Sequence, residues 1–574
     1  MAEIRRADPR WLAARRRLQD RYAEVSELPD ASRIAYLRGP VERFTEEEFV
    51  QLWDRMAHDP NRPHEAQHSV YIHVPFCKSI CSFCNYERLR PTAPGLLEAW
   101  LERVLSTLRA VAPVLSPVTF EALYIGGGTP STLPPRILSR LLEEVDERLE
   151  WHPRSARAFE FDPAIMNAEK LAVLQKHRFS SLSFGIQTLD AEVNHAHNRG
   201  AQSVEMVARR FQEMREAGIE TVSGDVLLGL KGTTPASILG DIEVLLERFR
   251  PSRLDVFMIT PTHEYVESHF GGDFDAFWSH LRPFQEEVPA ELQAVCRRHG
   301  YQLTEGQGHR FQIRRVERMR RRAQASPKGS YQGQTGEMGR PVQILGLGPS
   351  ARSSIYGVAS LECRDPGASP LDEGPAWYRG HEVDRVQELI GFLAHRLRDT
   401  DRVERGLIRE LFGADLMDLI PSAISGLAED GLLRLSPEAV EMKSQSRQER
   451  TRSLLWLVPE RHLEHELARR AGLDLSLEGV RRLMEELSRG TPLSEGMRFD
   501  GVDSSARIRL IGPAGGDFRL RIAPALDDER SVRLVIEVSP SLGPELRRVL
   551  TRALARLSAL LNHSHQRMRS QSMR

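Results

Sequence analysis

The stretch Tyr71-Ile72-His73-Val74-Pro75-Phe76-Cys77-Lys78-Ser79-Ile80-Cys81-Ser82-Phe83-Cys84 sets three cysteines, at spacings of four and three, directly after an apolar run. A structural zinc site usually takes four protein ligands as two close pairs, and the chain has no second pair. The other cysteines are Cys296 and Cys363, and an odd total of five in 574 residues argues for a reducing compartment. Three thiolates on one loop suit a 4Fe-4S cluster, which then keeps one iron without a protein ligand.

The composition favours a large cytoplasmic protein. The length of 574 residues suggests three or four domains. Lys and Arg number 79 against 80 Asp and Glu, so the net charge of -1 gives no global attraction to nucleic acid. No apolar run is long enough to span a membrane, and no secretory signal begins the chain, so we expect neither a membrane span nor export.

Six short apolar runs predict strands, and helical patterns such as Leu96–Val111 and Arg136–Leu149 follow the first five. The predicted strands are Ser69–Val74, Ala122–Ile125, Ala156–Phe161, Ser180–Gly185, Glu220–Leu228 and Arg253–Met258. This alternation predicts an α/β fold of parallel β/α units. Periodicity does not choose between a doubly wound sheet and a barrel.

The Cys-x3-Cys-x2-Cys motif after a strand resembles the radical S-adenosylmethionine superfamily. The preceding Tyr71–Phe76 resembles its oxygen-independent coproporphyrinogen III oxidase branch, which includes heme chaperones and radical methyltransferases. The resemblance implies a 4Fe-4S cluster on Cys77, Cys81 and Cys84, with S-adenosyl-L-methionine on the open iron as the source of a 5′-deoxyadenosyl radical. It also implies a partial (β/α)6 barrel with its active site at the carboxyl ends of the strands. The alternative is an adventitious zinc site or a cluster of buried thiols.

Family-like motifs follow at the ends of the predicted strands. The turn Gly126–Ser131 resembles the family's contact to the cofactor amino group, which assigns Gly127, Gly128 and Thr129 to cofactor binding. The alternative is an ordinary tight turn, because glycine permits one without a ligand. The resemblance extends the cofactor set to Tyr71, Glu160, Gln187, Arg199 and Asp225, and Asp225 has the alternative of a buried carboxylate with local partners.

The chain departs from the oxidase pattern beside the cysteines. The oxidases carry a fourth Cys two residues after the third, where this chain has Tyr86. It also has Ser181 where the family often has Arg, and Lys231 where the family has Pro after Gly-Leu. These differences favour a divergent relative over a coproporphyrinogen decarboxylase.

Two arginine features bear on the substrate. The stretch His309–Arg322 is interpreted either as an anion-binding arm over the barrel mouth, with Arg314 and Arg318 on one helix face, or as a solvated helix. The segment Gly346–Ser353 resembles the family's Gly-x-Gly-x-x-Ala. Its Arg352 stands where the family has an apolar residue, which suggests an anionic substrate.

We expect four parts in the chain. Residues 1–65 are an N-terminal helical segment, with a helix over Asp8–Leu28 and a second that begins at Thr45. Residues 66–360 form the barrel and its completing lobe, and residues 380–445 resemble the family's helical, winged-helix-like domain, whose acidic residues do not support DNA binding. Residues 446–574 form an α+β accessory domain of unknown role, with a three-stranded meander and a helix from Gly543 to about Leu561.

The sequence therefore predicts a radical S-adenosylmethionine enzyme for C–H activation in tetrapyrrole-related or natural-product chemistry, including methyl transfer. We expect an anionic or aromatic small-molecule substrate, an external flavodoxin- or ferredoxin-like electron donor, and no nucleic-acid or membrane partner. The alternative is a heme-trafficking chaperone with the same fold and cluster. The sequence identifies no catalytic residue beyond the cofactor set.

Overall fold

The computed structural model describes residues 42–59, 66–84, 86, 88–200, 202–219, 221–260, 262–305, 311–316, 342–364, 376–443, 450, 453, 454 and 457, and the segments 472–476, 498–502, 507–511, 517–524 and 531–538. The chain forms one compact unit over Arg43–Arg379, and Gly380–Arg574 belongs to a second. The predicted helices over Asp8–Leu28 and from Gly543 lie outside the described residues.

The first thirteen strands of the described residues belong to one sheet. They are β1 (Glu42–Thr45), β2 (Gln67–Val74), β3 (Thr119–Gly127), β4 (Glu150–Phe161), β5 (Ser181–Gln187), β6 (Thr221–Leu228), β7 (Arg253–Met258), β8 (Tyr301–Glu305), β9 (Phe311–Arg315), β10 (Val342–Leu347), β11 (Arg352–Ile355), β12 (Ala359–Arg364) and β13 (Trp377–Glu382). Their order across the sheet is β1-β13-β12-β11-β10-β2-β3-β4-β5-β6-β7-β9-β8.

Helices follow and connect these strands. They are α1 (Glu46–Ala57), α2 (Leu96–Val111), α3 (Pro135–Arg148), α4 (Ala168–Lys176), α5 (Ala191–Ala196), α6 (Val204–Glu216), α7 (Pro235–Val244), α8 (His263–Phe270) and α9 (Phe274–Arg298). The predicted helix start at Thr45 is confirmed by a capping box, in which the Thr45 side chain accepts from the Glu48 backbone N–H and the Glu48 carboxylate accepts from the Thr45 N–H.

The parallel strands β2 to β7 are neighbours in sequence order, and β10 pairs in parallel with β2 on the other side. Helices on the crossovers bring the carboxyl ends of these strands to one edge of the sheet. Antiparallel strands extend both flanks, and the strand order does not close on itself among the described residues. The architecture is the predicted partial (β/α)6 barrel, and all six predicted strands are confirmed.

Alternation along each strand separates the core from the barrel interior. In β2, Val70, Ile72 and Val74 are fully buried in the hydrophobic core. Tyr71 and His73 therefore point to the opposite face, since successive side chains of a strand alternate. The same strand thus contributes both to stability and to the candidate site.

The interpretation of His309–Arg322 as a helix over the barrel mouth is wrong where the structure describes it. Phe311–Arg315 is strand β9, between β7 and β8. Phe311 and Ile313 are buried with period two, which fits a strand better than a helix. Arg314 pairs with Arg253, the first residue of β7, and so lies at the end of the barrel opposite to the predicted mouth. Arg318 lies outside the described residues.

The second unit contains the predicted helical domain. Its helices are α10 (Arg385–Thr400), α11 (Arg405–Phe412), α12 (Leu416–Leu419) and α13 (Pro421–Glu429), and its small sheet has the order β14 (Arg402–Glu404), β16 (Ala439–Met442), β15 (Leu433–Leu435). A glycine turn, with Gly431 at φ +70°, connects α13 to β15, an order that fits the predicted winged-helix-like domain.

A separate sheet lies in the C-terminal part. Its order is β17 (Gly472–Ser476), β21 (Ser531–Val538), β20 (Asp517–Pro524), β19 (Arg507–Ile511), β18 (Arg498–Val502), and its pairs are antiparallel. The three predicted strands are β19, β20 and β21, and they form the predicted antiparallel meander. The sequence did not predict β17 and β18, which extend this sheet to five strands. In the part of the chain that the structure describes, no helix has the length and apolar character needed to cross a membrane.

Candidate active site

The cysteine loop follows β2 at the carboxyl edge of the parallel strands. The Cys77 N–H donates to the Leu89 carbonyl at 2.9 Å, and the Leu89 N–H returns to the Pro75 carbonyl at 2.7 Å. Cys77 is buried, whereas Cys81 and Cys84 are half-buried. The loop is thus closed at its base by backbone hydrogen bonds, with its later thiols nearer to solvent.

The three thiols lie close enough together to influence one another's ionisation. Burial raises the pKa of Cys77, the Thr129 hydroxyl opposes this rise from 3.4 Å, and the neighbouring Cys84 and Cys81 raise the pKa further. Burial likewise raises the pKa of Cys84. The thiols are therefore close enough to repel one another when ionised, and bound iron would stabilise their thiolate forms.

A serine between the second and third cysteines ties the loop to two histidines. Ser82 Oγ lies 3.0 Å from His197 Nδ1 and 2.8 Å from His269 Nε2. His197 Nε2 is 2.9 Å from the Lys231 carbonyl, so this nitrogen carries the proton and Nδ1 accepts. The pKa of His269 is lowered to about 4, chiefly by burial and to a smaller extent by the neighbouring His197 and Lys231. Both imidazoles are therefore neutral at pH 7 and hold the loop without adding charge.

The glycine turn after β3 lies directly against the loop. A Cβ on Gly128 would meet the Phe76 carbonyl oxygen at 2.9 Å and the Cys77 Sγ at 3.0 Å. Gly127 has φ +113°, and a Cβ there would lie 2.7 Å from the His73 ring. No side chain fits at either position without displacing backbone or the ring. The turn therefore offers backbone groups to a ligand beside the cysteines.

Glu160, at the end of β4, faces the barrel interior with two aromatic neighbours. The Tyr124 hydroxyl and the Gly127 N–H both donate to its carboxylate. Burial raises the pKa of Glu160 above its usual value, and these two hydrogen bonds offset part of that rise. Tyr71 stacks on Tyr124 with ring centroids 6.0 Å apart, and its hydroxyl is 3.0 Å from His73 Nδ1.

Gln187 and Arg199 converge at the end of β5. A Cβ on Gly185 would lie 2.3 Å from Gln187 Nε2 and 2.9 Å from Arg199 Nη2, so both side chains cross over this glycine. Gln187 is in the left-handed region at φ +67°, where a non-glycine residue costs about 1 kcal/mol or more. Arg199 donates to the Gly185 carbonyl at 2.5 Å and lies 3.8 Å from Cys81 Sγ.

Asp225 lies in the neighbouring strand β6, in register with Gly185 on one side and Asp255 on the other. Asp255 is buried and bound by Arg253 at 2.7 Å and by Gln312 at 2.9 Å. The Asp225 carboxylate also contributes to the raised pKa of Tyr124, after burial and Glu160. Asp225 therefore belongs to the same interior surface as Glu160.

The structure brings the predicted site residues together at one edge of the sheet. Three thiols, a glycine cradle and a guanidinium near Cys81 fit a 4Fe-4S cluster, since its thiolates bind separate irons and need not converge on one ion. Among the described residues, no three Cys, His, Asp or Glu side chains surround a single-ion position. Glu160 and Gln187 provide acceptors, and Gln187 also provides donors, for the polar groups of S-adenosylmethionine.

Sequence reasoning missed the supporting residues. Tyr124 was detectable, because it is two residues before Gly126 and alternation gives both the same face. The contacts of His197 and His269 with the cysteine loop could not be detected from the sequence, because 115 and 187 residues separate them from Ser82. Only the crossover geometry brings them to the cysteine loop.

Comparison with known proteins agrees with this geometry. Residues 71–245 match the model of the Radical SAM superfamily. The chain is 27% identical over 420 residues to the oxygen-independent coproporphyrinogen III oxidase of Salmonella typhimurium, covering 71% of this chain and 87% of that protein. It is 26% identical over 392 residues to the heme chaperone HemW of Bacillus subtilis, covering 66% and 96%.

Among solved structures, coproporphyrinogen III oxidase (HemN) from Escherichia coli superposes with a TM-score of 0.55 at 21% identity, over 72% of this chain and 94% of that one. This likeness supports the fold. Radical SAM proteins use a 4Fe-4S cluster and S-adenosylmethionine, which are the two cofactors that the cysteine motif predicts. Residues 71–245 therefore carry a radical SAM domain, and the chain is similar to the oxygen-independent coproporphyrinogen III oxidases and the heme chaperones.

Proposed function

We propose that this protein is a radical S-adenosylmethionine enzyme that activates a C–H bond of an anionic or aromatic small molecule, in tetrapyrrole-related or natural-product modification that includes methyl transfer. The observation that carries the proposal is the proximity of Arg199 to Cys81 at the edge where the glycine turn, Glu160 and Gln187 also lie. When bound, the cluster and S-adenosylmethionine supply a 5′-deoxyadenosyl radical, and an external flavodoxin- or ferredoxin-like protein supplies the electron.

The residues of the chain would bind and orient the reactants. Cys77, Cys81 and Cys84 would hold the cluster, while Arg199 offers a cation for the carboxylate of S-adenosylmethionine. Glu160 accepts from Tyr124 and Gly127 and so has a fixed orientation toward the interior. Correct orientation of the reacting bond is a main contribution of the protein in such chemistry.

Arg352 supports an anionic substrate. The backbone of Arg352, in β11, lies against Gly346 in β10: a Cβ added to Gly346 would meet the Arg352 carbonyl oxygen at 2.4 Å. Gly346 is in turn in register with Tyr71 of β2. Burial and Glu160 raise the pKa of Tyr71, and Arg352 opposes that rise. The exposed guanidinium is therefore beside the interior surface, where it would bind a carboxylate.

The test is anaerobic turnover of the reconstituted protein with dithionite, S-adenosylmethionine and candidate anionic substrates, including coproporphyrinogen III, with products identified by mass spectrometry. We expect 5′-deoxyadenosine together with a modified substrate, and a methylated product would identify methyl transfer. In Arg352→Leu, which restores the apolar residue of the family, the KM for an anionic substrate should rise several-fold, as about 1 kcal/mol per exposed charge pair implies. Absence of 5′-deoxyadenosine with every substrate, or an unchanged KM in Arg352→Leu, would count against the corresponding part of the proposal.

A heme carrier is the second candidate. It is favoured by the match over 96% of the Bacillus subtilis heme chaperone and by Tyr86 in place of the fourth Cys of the oxidases. An anaerobic heme titration separates the candidates: stoichiometric heme binding without substrate modification would support the carrier, and no saturable heme binding would remove it.

A further inference from the structure

A small cavity lies at the end of the barrel opposite to the cysteine loop. It has a volume of about 180 Å³ and opens beside the first residues of β6 and β7. Its walls combine apolar side chains with arginines: Phe211, Arg215, Ile219, Val222, Arg250, Pro251, Ser252 and Arg315. In β/α barrels this end of the strands normally serves stability rather than catalysis, so a charged cavity here is separate from the candidate active site.

Three arginines from three different elements meet at this cavity. Arg215 is in the last turn of α6, Arg250 precedes β7, and Arg315 ends β9. Of the described residues that line the cavity, none is acidic, and none of the three guanidiniums forms an ion pair with a described carboxylate. Like charges brought together without acidic partners repel, and a bound anion would remove that repulsion.

Arg215 is held in place by the backbone. Its Nε donates to the Phe211 carbonyl at 3.2 Å and its Nη2 to the Phe249 carbonyl at 2.9 Å. These two bonds fix the plane of the guanidinium, and they do not use the N–H groups of Nη1. This arrangement orients the cation without neutralising it, because carbonyl groups carry no net charge.

Arg250 occupies a backbone position that favours glycine. It caps the turn Leu245–Phe249 in the left-handed conformation at φ +49°, and its N–H donates to the Leu245 carbonyl at 3.0 Å. Helices commonly end in this conformation with Gly or Asn, which have little or no steric penalty there. The backbone therefore gives no reason for an arginine at this position.

Arg315 completes the group. Its guanidinium lies 5.9 Å from the centre of the Tyr301 ring, and the Tyr301 hydroxyl donates to the Pro251 carbonyl at 2.8 Å. Burial raises the pKa of Tyr301, and both Arg315 and Arg250 act against this rise. Both cations therefore lie near the Tyr301 hydroxyl, beside the cavity.

From this convergence we propose that Arg215, Arg250 and Arg315 form a binding site for a small oxyanion, namely a phosphate group, at the amino end of the barrel strands. Guanidinium groups bind phosphate oxygens through paired N–H donors, and three arginines from separate elements line this one cavity. The cavity volume suits a phosphate group but is below the roughly 300 Å³ at which pockets for larger ligands begin. A tetrapyrrole therefore does not fit this site.

The test is isothermal titration of the full-length, cluster-loaded protein with inorganic phosphate, at constant ionic strength maintained with KCl. We expect saturable binding and a matching rise in Tm. Arg250→Gly and Arg315→Gln should each weaken binding about tenfold, as expected for loss of a charge-assisted contact. The control Arg248→Ala removes a neighbouring arginine that does not line the cavity and should bind as the wild type does.

Arg250→Gly separates binding from folding. Glycine relieves the left-handed strain, so the Tm of Arg250→Gly without phosphate should equal or exceed that of the wild type, while a given phosphate concentration should raise its Tm less. A second titration with ADP identifies the source of the group: equal or tighter binding of ADP indicates a phosphoryl group on a larger molecule, and weaker binding indicates free phosphate. The proposal is overturned if the wild type shows no saturable binding of either ligand, or if Arg250→Gly and Arg315→Gln both bind phosphate as the wild type does.

Discussion

Arg199 lies 3.8 Å from the Sγ of Cys81 and, with the same guanidinium, donates to the Gly185 carbonyl at 2.5 Å. The residue thus connects the end of β5 to the cysteine loop. In the proposed site this cation would offset the negative charge of iron-bound thiolates and would bind a carboxylate.

Replacement of Arg199 should affect cofactor binding more than cluster content. Because a hydrogen bond to a charged group contributes roughly 1.5–3 kcal/mol, Arg199→Ala should weaken S-adenosylmethionine binding by about 10-fold to 100-fold. Equilibrium binding and iron analysis of the same anaerobic samples measure both quantities. Arg209→Ala, on the exposed face of α6, is the matched control. Loss of iron in parallel with binding would instead assign Arg199 a structural role.

Tyr124→Phe should change the pH dependence of cofactor binding. The variant removes one donor that lowers the pKa of Glu160, so that pKa should rise above its already raised wild-type position. If the cofactor binds the carboxylate, affinity is complete above this pKa and is lost as the pH falls through it, so the loss should begin at higher pH in Tyr124→Phe.

The raised pKa of Glu160 also predicts how the free energy of unfolding depends on pH. The pKa of Glu160 is raised on folding, so the folded state binds the proton more tightly than the unfolded state does. The stabilisation that the protonated Glu160 gives is therefore complete at low pH and is lost as the pH rises through the folded pKa. The control Glu160→Gln should abolish the pH dependence of binding. Identical pH profiles of the wild type and Tyr124→Phe would contradict the assigned role of this hydrogen bond.

Gly128→Ala should impair formation of the cluster. The added Cβ would meet the Phe76 carbonyl at 2.9 Å and the Cys77 Sγ at 3.0 Å, so the loop would have to move. Gly240→Ala is the control, because Gly240 is inside α7 with nothing within 4 Å of the added Cβ, and alanine favours helix by up to about 1 kcal/mol. Iron and sulfide analysis after reconstitution should show a deficit in Gly128→Ala alone, and equal iron content in both variants would argue that the close approach is unimportant.

The sequence was sufficient for the local architecture of the barrel. The strand β7 has the predicted bounds Arg253–Met258, and α2 has the predicted bounds Leu96–Val111, because hydrophobic period and strong turn residues agree there. The apolar runs placed Gln187 and Glu160 near strand ends, and the resemblance to the family's motifs selected them as site residues. The proposed roles of the cysteines and of these residues stay predictions until they are measured.

Other features depended on long-range pairing. The arginine-rich Phe311–Arg315 is a strand because β7 and β8 both offer it hydrogen-bonding partners, and charge density alone suggested a helix. The strands β17 and β18 are recruited by β21 and β19, from segments whose own patterns did not predict strands. Tertiary pairing overrides local propensity in such segments.

The central claim is that Cys77, Cys81 and Cys84 hold a 4Fe-4S cluster that cleaves S-adenosylmethionine. The direct test measures iron, sulfide and 5′-deoxyadenosine after anaerobic reconstitution and dithionite reduction, in the wild type, in Cys77→Ala, Cys81→Ala and Cys84→Ala, and in the controls Cys296→Ala and Cys363→Ala. We expect about four irons and four sulfides per chain with 5′-deoxyadenosine in the wild type and both controls, and loss of the intact cluster and of 5′-deoxyadenosine in each of the three loop variants. Retention of the cluster and of cleavage in the loop variants, or their loss only in the controls, would contradict the account.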